Sequence, residues 1–139
     1  MTNQTPPPPP PQSADTRLST VKTYITIAFV FSIIFVIVWV AWGLWDIVLF
    51  ATAASVFSYF GAGYVAGVFL IPGIVLLVFF AFGLIVFLRI WKMYKAVNAG
   101  DIATLKATSN IMWAIIALIF AGVIPGIMLI ISDGPIKQL

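Results

Sequence analysis

The chain has 139 residues, of which 63% are hydrophobic and only 8% are charged. Soluble domains carry about 25% charged residues, so this chain has too little polar surface to cover a water-soluble fold of its size. The composition excludes an ordinary soluble enzyme and predicts an all-α integral membrane helical bundle, residues 21–139, preceded by a disordered Pro-rich tail, residues 1–20.

Chemically reactive side chains are scarce. Cysteine and histidine are absent, which excludes disulfides, His or Cys metal sites, and catalysis by a Cys or His nucleophile. No carboxylate lies in the middle of an apolar stretch, where a proton relay usually has one. We therefore expect a non-enzymatic protein with no cofactor and no metal; its only acids are Asp15, Asp46, Asp101 and Asp133.

The tail contains six consecutive prolines, Pro6 to Pro11. Such a run favours an extended polyproline II rod, which aromatic-lined grooves of other proteins can bind. The alternative is a solvated, semi-stiff leader, and the absence of basic residues immediately beside the prolines favours it. A binder of this Pro-rich segment is thus a second-rank prediction.

The first membrane span is predicted over residues 24–45, which carry no charge. Trp39, Trp42 and Trp45 recur every three residues at its far end and lie along one helix face. Indole rings favour the membrane–water interface, so these residues are predicted interface anchors.

The next segment, residues 46–60, is ambiguous. It is shorter than the roughly 20 residues that a span needs, and Asp46 is suited to cap a new helix. Thr52, Ser55 and Ser58 give it a hydroxyl stripe, which either satisfies backbone groups or lines a polar cavity. We predict a short re-entrant or interfacial helix here, with a fourth transmembrane helix as the alternative.

The second and third spans are predicted over residues 64–88 and 111–131, and Ser132 to Pro135 are expected to stop the last helix because Gly and Pro disfavour its continuation. Each contains a Pro-Gly pair, which is expected to kink its helix because proline removes one helical hydrogen bond. Small residues at four-residue spacing let helices approach closely in lipid. The predicted kinks are Pro72, Gly73, Pro125 and Gly126, and the predicted packing positions are Gly63, Gly67, Ala117, Ala121 and Gly122.

The segment between these spans, residues 89–110, is predicted as a basic loop. The helix of the second span is expected to continue into it and end near Asn98 and Gly100, and Asp101 is expected to cap a short helix that runs towards the third span. It holds four of the seven Lys and Arg residues, whereas residues 46–63 hold none. The positive-inside rule then predicts a multi-pass plasma-membrane protein with its N-terminus in the cytoplasm and its C-terminus outside.

Cations interleaved with aromatic rings suit anionic lipid headgroups or an acidic partner surface. Four cations beside a membrane provide neither a groove reader nor a stacking platform, so we expect no nucleic acid. The predicted lipid or partner contacts are Arg89, Trp91, Lys92, Tyr94, Lys95 and Lys106.

Two runs, RIWKMYKAVNAGDIATLK and IFAGVIPGIMLII, make the C-terminal half similar to small prokaryotic multi-span membrane proteins with polar or Pro-rich N-terminal tails. The resemblance implies a prokaryotic plasma membrane and carries no functional residues. Abundant packing surface without chemical groups favours an accessory or scaffold subunit, present as a homo-oligomer or in a larger membrane complex. The alternative is a small homo-oligomeric pore or transport component.

Overall fold

The structure is a computed structural model that describes residues 14–61 and 65–139, with the backbone alone for residues 65–71. All regular secondary structure in the described residues is α-helical, as predicted. Residues 1–13, with the proline run, and Gly63 lie outside the described residues, and Gly67 lies in the backbone-only segment. The five helices are α1 (Ala14–Tyr59), α2 (Val65–Ala99), α3 (Ile102–Thr108), α4 (Ile111–Phe120) and α5 (Val123–Lys137).

Helix α1 is a single rod of 46 residues, about 69 Å long at helical rise. The predicted separate helix over residues 46–60 is therefore wrong. No Gly or Pro adjoins Asp46, so nothing stops the helix there. Asp46 is therefore a residue in the middle of α1 and does not cap a new helix. The predicted tail was also too long, since residues 14–20 form the first turns of α1, where Asp15 favours the positive helix end.

Helix α2 runs antiparallel to α1, and aromatic pairs mark the register. Trp39 stacks on Phe79 with ring centroids 6.1 Å apart, and Phe29 lies 6.0 Å from Phe87. This register places Asp46, seven residues after Trp39, at the same level as Pro72, seven residues before Phe79.

Most of the predicted basic loop is helical. Helix α2 continues to Ala99 and ends with backbone bonds from Gly100 to Val97 and from Asp101 to Ala96, a Schellman arrangement. The Asp101 carboxylate then accepts from the Thr104 amide at 2.9 Å and caps α3, as its position in the sequence predicts. These two local motifs end one helix and start the next within three residues, so most of residues 89–110 are helical and few form a loop.

The predicted third span, residues 111–131, is not a single helix: the chain folds back on itself at Ala121–Gly122. Gly122 has φ +103°, a backbone conformation that side chains disfavour. Beyond it α5 returns antiparallel to α4, so Gly126 lies against Leu118 and the Ser109 hydroxyl reaches Asp133 at 2.7 Å. We name this pair of helices the α4–α5 hairpin.

The prolines act differently from the prediction. Pro125 is the third residue of α5, where amide groups have no helical acceptor, so it starts this helix instead of kinking a long one. Pro135 was expected to stop the last helix, yet α5 continues past it to Lys137 because Ile136 is fully buried in the core. Pro72, by contrast, lies inside α2 as expected, and its kink stays a prediction.

The molecule has two parts. In the basal bundle, α1 residues 14–35, α2 residues 79–99, α4 and α5 form a ring in which neighbours pack in the order α1, α2, α4, α5, with α3 against α2 and α5. All buried apolar side chains of the described residues belong to it. The distal hairpin, residues 46–61 and 65–72, consists of the ends of α1 and α2 alone.

Within the part of the chain that the structure describes, two helices are long and apolar enough to cross a membrane: α1 and the Pro72–Ala99 part of α2. The α3–α4 pair, bent by 66°, would make a third if it is counted as one span. The last residues of α5 return to the start of α1, where the Arg17 guanidinium donates to the Gln138 carbonyl at 3.4 Å. This contact brings the start of α1 and the residues after α5 together, and the predicted orientation of the termini across a membrane stays a prediction.

Candidate functional site: the basic end of the bundle

The fold gathers the cations of the chain at one end of the basal bundle. The start of α1, the end of α2, α3 and the end of α5 all meet there, through Arg17 to Gln138 and through Arg89 to Thr108. The four predicted cations are joined by three that the sequence reasoning did not assign to the site: Arg17, Lys22 and Lys137. The opposite end of the bundle, the distal hairpin, has no Lys or Arg in its described residues.

Arg89 is occupied inside the protein. Its Nε and Nη2 both donate to the Thr108 carbonyl, at 3.3 and 3.1 Å, and its guanidinium lies 4.6 Å from the centroid of the Trp113 ring. Thr108 is the last residue of α3, whose final carbonyls lack helical donors. Arg89 therefore fastens α2 to the α3–α4 connection, and it is a positioning residue.

The remaining predicted contacts divide into two groups. Tyr94 stacks face to face on Phe29 with centroids 4.4 Å apart, so its ring supports the α1–α2 contact. Trp91 is exposed and lies under the Lys95 ammonium, 4.5 Å from the ring centroid. Of the six predicted contacts, those whose side chains are exposed are Trp91, Lys92, Lys95 and Lys106.

A second cluster closes the open end of the α4–α5 hairpin. Asp133 is almost fully buried, accepts the Ser109 hydroxyl through Oδ1, and pairs through Oδ2 with Lys137 one turn later. Burial acts most strongly and raises the pKa of this carboxyl. Hydrogen bonds from Lys137 and Ser109, with the Lys137 charge, outweigh it and lower the pKa below its usual value.

The sequence signal for this cluster was present in part. Asp133 and Lys137 are four residues apart, the spacing of an ion pair on a helix. The expectation that Ser132 to Pro135 ends the helix hid that signal. The contact with Ser109, 24 residues earlier, required the hairpin fold and had no local signal.

The hollow between α2 and the α3–α4 connection is small. Arg89, Thr108, Asn110 and Trp113 line it together with apolar residues, and its volume is about 10 Å³. A space of that size holds about one water molecule, so it admits no organic ligand. Among the described residues there is also no group of three acidic side chains that could hold a metal ion.

The predicted hydroxyl stripe lies on the distal hairpin, far from the basic end. Thr52, Ser55 and Ser58 each donate to a carbonyl of their own helix three or four residues back, at 2.7–2.8 Å. Their protons thus bond to backbone carbonyl groups of α1.

The other predicted residues serve the packing of the bundle. Trp39 packs between α1 and α2 against Phe79. Trp42 and Trp45, about one and two turns further along α1, are 60% and 62% exposed instead, and their role as interface anchors stays a prediction. Ala117 and Ala121 are buried on the inner face of α4, and Gly122 lies against the Phe35 ring.

No known protein family, curated protein or solved structure matches this chain.

Proposed function

We propose that the chain is a non-enzymatic accessory or scaffold subunit of a plasma-membrane assembly. The observation that carries this proposal is the length of the apolar stretch along the axis of α1. From Tyr24 to Phe60, α1 contains one charged residue, Asp46, over about 54 Å of helix. The hydrocarbon core of a bilayer is only about 30 Å thick.

Tilting does not remove this excess. To fit about 54 Å of helix into about 30 Å, α1 would need a tilt of about 56°, beyond the usual range of roughly 0–40°. The distal hairpin exposes large apolar side chains that water would not cover favourably. They include Ile47 at 66%, Tyr59 at 88% and Phe60 at 75% exposure. Protein contacts, with a second copy or with another subunit, are the cover that this surface fits.

Native mass measurement after extraction in a mild detergent tests the role. We expect a homo-oligomer or a complex with a co-purifying membrane protein. A monomer without any partner, obtained across several mild detergents, would contradict the proposal. Metal or cofactor supplementation is not expected to change the mass or the stability.

The basic end of the bundle is proposed to face the cytoplasm and contact anionic headgroups. Lys92, Lys95 and Lys106 are exposed there, and the Lys95 ammonium lies over the Trp91 ring. A surface cation gains about 1 kcal/mol from an anionic leaflet. Replacing the three lysines by Gln should weaken retention of phosphatidylglycerol by about 3 kcal/mol, or roughly a hundredfold. The matched triple Lys→Arg variant should retain it.

Mixed phosphatidylcholine–phosphatidylglycerol nanodiscs provide the measurement, through the composition of the lipid that stays bound on extraction. Equal phosphatidylglycerol retention by the Gln and Arg variants would show that these cations do not select anionic lipid. That result would not bear on the scaffold role, which rests on the distal hairpin and is tested by the native mass measurement.

A further inference from the structure

We infer that the α4–α5 hairpin is a re-entrant element: it enters one leaflet of the bilayer from the basic end, and its apolar outer face is a surface for the acyl chains of that leaflet. Residues 14–20 and 137–139 then lie on the same side of the membrane. This inference is independent of the scaffold role, since it concerns the basal bundle and not the distal hairpin.

The outer face of the hairpin is apolar from its open end to its turn. No charged residue occurs between Lys106 and Asp133. Ile115, Ile119 and Val123 are 51%, 55% and 60% exposed, and other large apolar side chains share this face. Such a continuous surface is unfavourable in water and favourable against lipid chains.

The length of the hairpin matches one leaflet. Helix α4 has 10 residues, which corresponds to about 15 Å. Half of the hydrocarbon core is also about 15 Å. The turn at Ala121–Gly122 lies at the level of Phe35 and Gly83, where the added Cβ positions of Gly122 and Gly83 would meet Phe35 and the Phe120 carbonyl. The helices α1 and α2 continue beyond that level, so the turn ends inside the membrane region.

Polar groups are confined to the open end of the hairpin. Ser109, Asp133 and Lys137 are bonded to one another there, and Asn110 caps α4 through the Met112 amide. The turn itself is formed by small residues, and Ala121 and Pro125 at its two sides are buried. Non-helical backbone at membrane depth is tolerated where protein buries it, and α1 and α2 flank this turn.

The distribution of charge selects the side of entry. Because the hairpin returns, Lys137 joins Arg17, Lys22 and the cations of α2 and α3 at one end. A single span over residues 111–131 would place Lys137 opposite them. Positive charge concentrated on one side is the pattern of cytoplasmic segments.

Single-cysteine labelling of the full chain tests the inference, since the parent has no cysteine. Ala99→Cys and Gln138→Cys mark the end of α2 and the region after α5, and Phe60→Cys marks the distal hairpin; all three positions are exposed. In oriented membrane vesicles, a membrane-impermeant maleimide should label Ala99→Cys and Gln138→Cys from one side and Phe60→Cys from the other.

Labelling of Gln138→Cys together with Phe60→Cys would overturn the inference in favour of a third span. Labelling of all three from one side would also overturn it, because α1 and α2 would then not cross the membrane. Each variant is first checked for unchanged helical circular dichroism and unchanged Tm.

Depth measurements separate insertion from surface binding. A fluorophore on Ile119→Cys or Val123→Cys should be quenched most by nitroxides near the acyl-chain ends. On Met112→Cys or Ile131→Cys it should be quenched most by nitroxides near the headgroups. Headgroup-type quenching at all four positions would show a hairpin lying on the membrane surface and would overturn the inference.

Discussion

At the scale of single residues, Gly126 has the most restrictive environment in the hairpin. A Cβ added there would lie 2.4 Å from the Leu118 Cα, and backbone cannot move aside as a flexible side chain can. We expect Gly126→Ala to destabilise the protein by about 3 kcal/mol, the upper end of the usual overpacking cost. Thermal unfolding in one detergent measures this as a lower Tm.

The matched control is Gly43→Ala. Gly43 lies inside α1 with no atom within 4 Å of the added Cβ, and alanine is a better helix former by about 0.5–1 kcal/mol. Its Tm should stay equal or rise. A similar Tm for both variants would contradict the close approach of α4 and α5 at Leu118.

Asp133 should make stability depend on pH in acid. Its pKa is lowered in the folded protein by Lys137 and Ser109, against the opposing effect of burial. A lowered folded-state pKa stabilises the protein above the unfolded value of about 3.9, and that contribution is lost as pH falls through the folded-state pKa. The Tm should therefore fall when pH is reduced below about 4.

Asp133→Asn isolates this effect, because the other acids titrate equally in both proteins. The variant should have a lower Tm than the parent at neutral pH, and the difference should shrink as the pH is lowered. A constant difference over the whole range would show that the ionised Asp133 carboxylate does not contribute to stability.

At the scale of elements, sequence reasoning succeeded where the cause is local. The Asp101 cap and the end of α2 near Gly100 were predictable, because a few adjacent residues determine them. The fold-back of α4 and α5 was not. Proline at 125 is the stronger local breaker, yet the turn occurs at Gly122, because Gly126 can pack on Leu118 and Asp133 can reach Ser109 only in the folded hairpin.

The same distinction holds for the candidate site. Counting charges predicted a basic segment beside the membrane, and the exposed Lys92, Lys95 and Lys106 lie there. Counting could not show that Arg89 is occupied by the Thr108 carbonyl and the Trp113 ring. Nor could it bring Lys137 to this end, since that requires the chain reversal.

Arg89 on α2 contacts Thr108 of α3 and Trp113 of α4. Its replacement should therefore weaken the packing of all three helices. Lysine keeps the charge but cannot place two N–H donors on one carbonyl and a planar group on the Trp113 ring. Arg89→Lys should lower stability by about 1–2 kcal/mol, since hydrogen bonds to charged groups contribute about 1.5–3 kcal/mol and one can re-form. Unfolding in detergent provides the measurement.

Lys92→Arg is the control for Arg89→Lys, with the reverse exchange on the same helix. Lys92 is exposed, and surface exchanges usually stay within about 0.5 kcal/mol. Equal stability of both variants would show that Arg89 acts through its charge alone and not through its fork geometry.

At the scale of the whole molecule, the two parts of the protein need different surroundings. The basal bundle has its own buried core, to which all five helices contribute. The distal hairpin has two helices, and many of its described apolar side chains are at least half exposed. A two-helix element without a core gains its stability from what covers it. Folding of the basal bundle and assembly through the distal hairpin should therefore be separable.

Two serine substitutions ten residues apart on α1 test that separation. Ile47 and Ile37 are 66% and 62% exposed, so neither change opens a cavity in the bundle. Ile37 lies in the predicted span, where lipid covers it, whereas Ile47 lies in the distal hairpin. We expect Ile47→Ser to shift the native mass from the assembly towards the protomer, because a buried Ile contributes about 1.5–3 kcal/mol to a contact. Ile37→Ser should keep the mass of the assembly. If Ile37→Ser dissociates the assembly and Ile47→Ser does not, the surface that contacts the partner lies within the bilayer. The excess length of α1 is then not the reason for assembly.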